Sequence, residues 1–130
     1  MAEAVARRDA GDVIEPASAG LYPLGCIAEP TIETLVANGF SVDGLSSKPI
    51  LRGAVRESNL IVNLSGAPID YLFSSAPSNL RNDQQLENWE VADPYGEDAV
   101  TYQRILEEIE ARVRQLAIRL RAAENRSAKV

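Results

Sequence analysis

Side chains that could carry covalent or acid–base chemistry are few in this chain of 130 residues. It has no histidine, which excludes Ser–His–Asp and Cys–His catalysis, the HExxH metalloprotease arrangement and zinc sites that need imidazole. It has a single cysteine, Cys26, so an internal disulfide or a cysteine cluster for a metal cannot form. The sequence therefore predicts no metal site and no cofactor.

Cys26 is the one thiol that could act as a nucleophile, and its surroundings do not favour catalysis. It lies in the run Leu24-Gly25-Cys26-Ile27-Ala28, and the residue six positions after it is Ile32, not an arginine. A thiol becomes reactive in an electropositive setting that stabilises its thiolate. We therefore interpret Cys26 as a half-buried or exposed loop thiol without a catalytic role.

Composition indicates one globular domain that spans residues 1–130. Apolar residues make up 45% of the chain and charged residues 25%, which is close to average usage. The net charge of -6 argues against nucleic acid as a partner, because phosphate contacts need positive charge. No apolar run approaches the roughly 20 residues of a membrane helix, and no basic start leads into an apolar stretch. We expect a cytoplasmic protein that binds neither nucleic acid nor membranes.

Hydrophobic periodicity predicts helices that alternate with short strands. The predicted helices cover residues 1–10, 30–39, 49–55, 68–74 and 98–123, and the predicted strands cover 13–17, 59–64 and 86–91, with loops at 19–25 and 76–85. The strand at 59–64 is nearly all apolar, which is typical of a central parallel strand. This order predicts an α/β domain of three layers, with a short parallel sheet flanked by helices.

Two of the predicted helices are amphipathic. In the helix at 30–39, Ile32, Leu35 and Val36 fall on one face, as packing on a sheet requires. In the long helix at 98–123, six apolar residues recur at steps of three and four positions: Tyr102, Ile105, Ile109, Val113, Leu116 and Leu120. We expect these residues to form one buried stripe.

Three short stretches, taken together, resemble the low-molecular-weight protein tyrosine phosphatase family. Met1-Ala2-Glu3-Ala4 is similar to the helix start that follows the family's phosphate-binding loop, and Ser18-Ala19-Gly20 to a turn after its second strand. Trp89-Glu90-Val91-Ala92-Asp93-Pro94-Tyr95-Gly96 matches the family's Asp-Pro acid loop, which precedes a long terminal helix. The order and spacing of the three stretches carry the resemblance over essentially the whole chain.

The resemblance implies hydrolysis of phosphomonoesters such as phosphotyrosine in an intact family member. There, a strand leads into a loop of Cys, five residues and Arg, whose backbone amides and arginine cradle phosphate and stabilise the cysteine thiolate. In this chain the strand, the nucleophile and the cradle would all lie upstream of Met1. We therefore expect a chain truncated before the first helix, without the family's first, central strand and phosphate loop, and catalytically inactive as written.

The resemblance also assigns roles to residues that are present. The aspartate that matches Asp93 protonates the leaving-group oxygen, which is a general acid role. From the residues alone, Asp93-Pro94 can equally cap a turn before the long helix, and in this truncated chain only that role could operate. Tyr22 and Tyr95 would lie near the mouth of the site and bind the substrate ring, although packing or surface roles are as good an interpretation.

The residues present exclude, for this chain, the arsenate reduction that thioredoxin-coupled relatives of the family carry out. That chemistry passes a disulfide between further cysteines. After the strand at 59–64, where they are expected, the chain has Ser65-Gly66-Ala67-Pro68. The predicted function is therefore that of a phosphatase homologue.

Two alternatives treat the short form as biological. In one, the first helix presents its free N–H groups to a phosphorylated ligand, and the chain is a non-catalytic binding module. In the other, loss of the strand that the family places between 13–17 and 59–64 exposes backbone and apolar surface. Either the remaining strands close together or a second copy covers this surface; we expect the second, which predicts a homodimer or higher oligomer.

Overall fold

The computed structural model describes residues 1–20, 23–68, 81 and 83–128. The helices in these residues are α1 (Ala2–Asp9), α2 (Glu29–Ala37), α3 (Arg52–Glu57) and α4 (Ala99–Ala128), and the strands are β1 (Leu60–Asn63) and β2 (Gln85–Asn88). The chain groups into two compact units. The first unit consists of Met1–Ser18, Ile27–Ser46 and Pro94–Val130, and the second consists of Ala19–Cys26 and Ser47–Asp93.

The first unit is helical, and both α1 and α2 pack against α4. Its core consists of apolar side chains from all three helices and from the segment after α2: Val5, Leu35, Phe40, Tyr102, Ile105, Leu106, Ile109, Val113 and Leu116. The Arg8 guanidinium lies 3.6 Å from the centre of the Phe40 ring, where a cation is attracted by the aromatic face. The predicted helices at 1–10 and 30–39 are confirmed as α1 and α2.

The predicted long helix is confirmed as α4, which continues to Ala128. It begins at an N-cap, because the Asp98 Oδ1 atom accepts a hydrogen bond of 2.9 Å from the Thr101 backbone N–H. Five of the six stripe residues are buried, and Leu120 is half-buried. Leu106 and Ala117 are also buried, although the predicted stripe omitted them. The buried face is wider than one stripe because α4 packs against two helices.

The second unit holds a two-stranded parallel sheet. Its register pairs Leu60 with Gln85 at one end and Asn63 with Asn88 at the other. The strand predicted at 59–64 is confirmed as β1, and the strand predicted at 86–91 is displaced to β2. β2 ends early because the chain turns after it, with the Val91 N–H donating to the Trp89 carbonyl at 3.0 Å.

The α3 helix precedes β1, and side chains from the segment before β2 donate hydrogen bonds to its C-terminal end. Gln84 Nε2 donates to the carbonyl oxygens of Val55 and Ser58 at 2.5 and 2.6 Å. Arg81 Nη2 also donates to the Ser58 carbonyl, at 3.1 Å. These donors satisfy carbonyl groups that a helix end leaves without partners.

The strand predicted at 13–17 is wrong, since no strand forms there in the described residues. The N–H groups of Val13 and Ile14 both donate to the Ala10 carbonyl, at 3.1 and 2.8 Å, and so continue the turn that ends α1. Pro16 has no N–H to offer a ladder. The local turn therefore replaces strand pairing at this position.

Smaller differences concern two helices. Val36 is 58% exposed, so only part of the predicted apolar face of α2 is covered. The helix predicted at 49–55 starts later, at Arg52, because Pro49 forms an isolated parallel bridge with Gly20. The helix predicted at 68–74 and most of the loop predicted at 76–85 lie outside the described residues.

The predicted α/β class is confirmed, with a short parallel sheet and helices before and after its strands in the chain. In the part of the chain that the structure describes, no helix combines the length and the apolar character needed to cross a lipid bilayer.

Candidate functional site

The loops that follow β1 and β2 begin at the same edge of the sheet. The strands are parallel, and their last residues, Asn63 and Asn88, are paired in register. Residues 64–68 and 89–93 therefore leave the sheet side by side. The carboxyl edge of a parallel sheet is where α/β proteins usually place their ligand sites.

The Asn63 side chain connects these two loops. Its Nδ2 atom donates to the Ala67 carbonyl at 2.6 Å and to Asn88 Oδ1 at 2.9 Å. Its Oδ1 atom accepts from the Ser65 N–H at 3.0 Å and from Ser65 Oγ at 2.6 Å. Asn63 is only 6% exposed. Sequence reasoning missed this residue, although a polar side chain at the end of an apolar strand was a visible signal.

An open cleft of about 610 Å³ lies between the two loops. Its described lining combines backbone and small apolar groups with a few polar side chains: Asn63, Gly66, Ala67, Pro68, Asn88, Trp89, Glu90, Val91 and Ala92. No lysine or arginine belongs to this described lining.

Trp89 anchors the start of the second loop. The side chain is buried, and its indole Nε1 donates to Glu87 Oε1 at 3.2 Å. Its backbone N–H donates to the Asn63 carbonyl at 2.9 Å. The loop that leads to Asp93 thus starts from a residue held by both its backbone and its side chain.

The three predicted site residues differ in where the structure places them. Asp93 is exposed in the loop after β2, at the end of the second unit. Tyr95 belongs to the first unit and is 67% exposed. Tyr22 lies outside the described residues. The structure therefore gives Asp93 an accessible position and leaves its predicted acid role to experiment.

Cys26 is an exposed, free thiol in the loop that ends the first segment of the second unit. Gly25, just before it, has a φ of 86°, a backbone conformation that favours glycine. Among the residues described, no three His, Cys, Asp or Glu side chains group closely enough to hold a metal ion. The arrangement around Cys26 is that of a surface turn.

Two of the stretches that carry the resemblance meet in the first unit. The Ser18 hydroxyl donates to Glu3 Oε1 at 2.7 Å, and the other oxygen of Glu3 is bound by Arg7. Arg7 Nη1 also donates to the Asp43 carbonyl at 2.6 Å. The buried Glu3 carboxylate therefore joins the first turn of α1 to the segment that follows this helix.

Comparison with known proteins gives a consistent result. A family model described as low molecular weight phosphotyrosine protein phosphatase matches residues 1–126. No curated protein sequence matches the chain significantly.

Solved structures of two phosphatases are similar to the chain. A protein tyrosine phosphatase is 27% identical with a TM-score of 0.77, over 93% of this chain and 86% of that one. The tyrosine phosphatase Wzb from Escherichia coli K30, in complex with sulphate, is 20% identical with a TM-score of 0.76, over 92% and 87% of the two chains.

A thioredoxin-dependent arsenate reductase from Corynebacterium glutamicum is also similar. It is 25% identical with a TM-score of 0.72, over 94% of this chain and 55% of that one. Phosphatases and arsenate reductases thus share this fold, and the choice between the two chemistries depends on the site residues.

Proposed function

The chain belongs to the low molecular weight phosphotyrosine protein phosphatase family, and we propose that its residues supply the proton-donating half of a phosphomonoester-hydrolysing site, with Asp93 as the general acid. The observation that carries this proposal is the position of Asp93, exposed in the loop that leaves the carboxyl end of β2. The family match over residues 1–126 supports it, because that match includes the whole loop.

The proposed chemistry has two steps. A cysteine thiolate attacks phosphorus, an S–P bond forms, and the P–O bond to the leaving group breaks while the Asp93 carboxyl gives its proton to the departing oxygen. The Asp93 carboxylate then takes a proton from water as the water oxygen attacks phosphorus. The S–P bond breaks, which releases phosphate and restores the thiolate and the acid.

The nucleophile of this reaction is not provided by the one cysteine of these 130 residues. Cys26 is exposed, and Ile32 stands six positions after it, where the family's phosphate loop has arginine. We therefore propose that the polypeptide of residues 1–130 does not by itself hydrolyse phosphomonoesters through a cysteine.

The assay that tests this inactivity is turnover of para-nitrophenyl phosphate by the purified polypeptide, beside the C26S and D93A variants. We expect all three proteins to give the same background rate. A rate that C26S or D93A abolishes would overturn the proposal, because it would mean that the chain uses its own side chain as a catalyst.

The proposed substrate is a phosphotyrosine side chain. Tyr95 is 67% exposed and lies two positions after Asp93 in the chain, which supports a role in contacting the aromatic ring of the substrate. We propose the same contact with the substrate ring for Tyr22, on the family resemblance alone.

We also propose that the polypeptide forms a homodimer through the sheet. The observation that favours it is the incomplete burial of Leu60, Ile61 and Val62, which are all half-buried in β1. An unbroken apolar run is typical of a strand that is covered on both faces. A second copy would supply the missing cover.

A further inference from the structure

Asn63 is an unusual residue for the end of an apolar strand. It is almost fully buried, and asparagine is both rarely buried and disfavoured in strands. A buried amide is tolerated when each of its polar atoms has a partner. Here the Nδ2 and Oδ1 atoms of Asn63 each have two hydrogen-bond partners.

The orientation of the Asn63 amide follows from its backbone partners. The Ala67 carbonyl can only accept a hydrogen bond, so the nitrogen of Asn63 has to face it. The Ser65 N–H can only donate, so the oxygen of Asn63 has to face that side. Because the nitrogen also points at Asn88, Asn88 presents its oxygen. Donor and acceptor are thereby fixed at both residues.

We propose that Asn63 is a positioning residue that sets the direction in which the acid loop leaves the sheet. This inference rests on the proposed role of Asp93. One residue holds the base of that loop twice, through its side chain to Asn88 and through its carbonyl to the Trp89 N–H. The same side chain holds the facing loop at Ser65 and Ala67. The two loops therefore keep a fixed relation at the edge of the sheet.

The position demands an amide in particular. An aspartate there places a carboxylate oxygen against the Ala67 carbonyl, an acceptor that it cannot bond while ionised, and it can bond Asn88 only if the Asn88 amide turns over to donate. A leucine removes all four hydrogen bonds of the Asn63 side chain. At Asn88 the requirement is weaker, because a carboxylate there still accepts from Asn63.

This asymmetry gives the test. N63D and N88D make the same chemical change on the two partners of one hydrogen bond, and N59D adds the same charge at the exposed residue that precedes β1. The readouts are hydrogen exchange of the Trp89 amide and fluorescence of Trp89, the single tryptophan. Both can be measured on the 130-residue chain without any substrate.

For N63D at neutral pH, we expect the Trp89 amide to exchange about tenfold faster than in the wild type, with red-shifted Trp89 emission. We expect N88D and N59D to match the wild type. Burial raises the pKa of the introduced carboxyl at position 63. Below that pKa the group is protonated and can donate again, so the N63D signals should return toward those of the wild type. As the pH rises through that pKa, the slow exchange and the wild-type emission of Trp89 should be lost in N63D.

The wild type is titrated in parallel as the reference, because the carboxylate side chains of Glu87 and Glu90 lie close to Trp89 in sequence. The S65A variant removes one partner of Asn63 Oδ1 and should speed exchange at Trp89 less than N63D, which gives a second measure if N63D folds poorly. Equal effects of N63D and N88D, or no effect of N63D at any pH, would overturn the proposal. None of these readouts depends on catalysis, so an ordered loop with an inactive Asp93 would refute the proposed function and leave this inference standing.

Discussion

Arg121 forms a bidentate ion pair with Asp12 through its guanidinium group. The Nε atom donates to Asp12 Oδ2 and the Nη2 atom to Asp12 Oδ1, each at 2.8 Å. Nη2 also donates to the Asp9 carbonyl at 3.0 Å, at the end of α1. One side chain near the end of α4 therefore fastens the turn that replaces the strand predicted at 13–17.

The R121K variant should weaken this connection, because an ammonium group cannot match the planar fork of arginine. The hydrogen bond from Arg121 lowers the pKa of Asp12, so the stability from this pair is complete above the ordinary pKa of the carboxyl. It is lost as the pH falls through the lowered value. We expect R121K to have a slightly lower Tm at pH 7 and a smaller loss of Tm between pH 5 and pH 2. The control is R114K, at an exposed position of the same helix.

This prediction is checked by thermal unfolding followed by circular dichroism across that pH range. Identical pH profiles for R121K and the wild type would mean that the pair contributes nothing to the folded state, as is common for exposed ion pairs.

Asp98 should stabilise α4 through its N-terminal cap and, separately, through the ionised form of its carboxyl. It caps the first turn through Thr101, and this hydrogen bond lowers the pKa of the Asp98 carboxyl. Its contribution is therefore present above the ordinary pKa and lost as the pH falls through the lowered one. We expect D98A to lower the Tm at pH 7, whereas D98N should keep most of the cap and lose the acid-dependent part. Equal Tm values for D98A and the wild type at pH 7 would refute the capping role.

The core of the first unit should depend on Leu106, which is completely buried in α4. L106A removes a large buried side chain, and we expect it to lower the free energy of unfolding by about 2–5 kcal/mol. The matched control on the same helix is I118A, because Ile118 is 59% exposed and should cost about 0.5 kcal/mol or less. Urea unfolding measures both values. Similar costs for L106A and I118A would contradict the placement of α4.

Self-association should depend on the half-buried apolar residues of β1. We expect light scattering to give the mass of two chains, and we expect the I61K variant to shift the population toward a single chain, since a charge blocks strand-edge contacts. V100K adds the same charge at an exposed apolar residue of α4 and should leave the mass unchanged. A single-chain mass for the wild type at high concentration would remove the dimer proposal.

Much of the fold was predictable because the strongest elements carry their signal locally. The three- and four-residue steps from Tyr102 to Leu120 predicted α4, and the apolar run at 59–64 predicted β1. The strand predicted at 13–17 failed because its formation depends on a neighbouring strand to pair with, which no local pattern can supply. There the turn around Ala10 forms instead.

The candidate site was predictable in one part and not in another. The run from Trp89 to Gly96 indicated Asp93 through its resemblance to the family's acid loop, and the acid role stays a prediction. The role of Asn63 could not be read in the same way, because it depends on the register that brings Asn63 beside Asn88, 25 positions later in the chain. Such a pairing is a property of the sheet and not of either strand.

The most direct test of the account is a fusion in which the strand and the Cys–five–Arg loop of a solved tyrosine phosphatase of the family precede Met1. We expect this fusion to hydrolyse phosphomonoesters. D93A should lower its kcat by about 10²- to 10⁴-fold for phosphotyrosine, whose leaving phenol has a pKa of about 10 and needs a proton. The loss should be smaller for para-nitrophenyl phosphate, whose phenol is more acidic.

The control is D83A, at a carboxylate whose side chain is 75% exposed before β2, and it should leave both rates unchanged. We expect D93A to lower the rate on phosphotyrosine by a larger factor than the rate on para-nitrophenyl phosphate. Equal losses for the two substrates, or full activity of D93A on phosphotyrosine, would contradict the role of Asp93 as the proton donor.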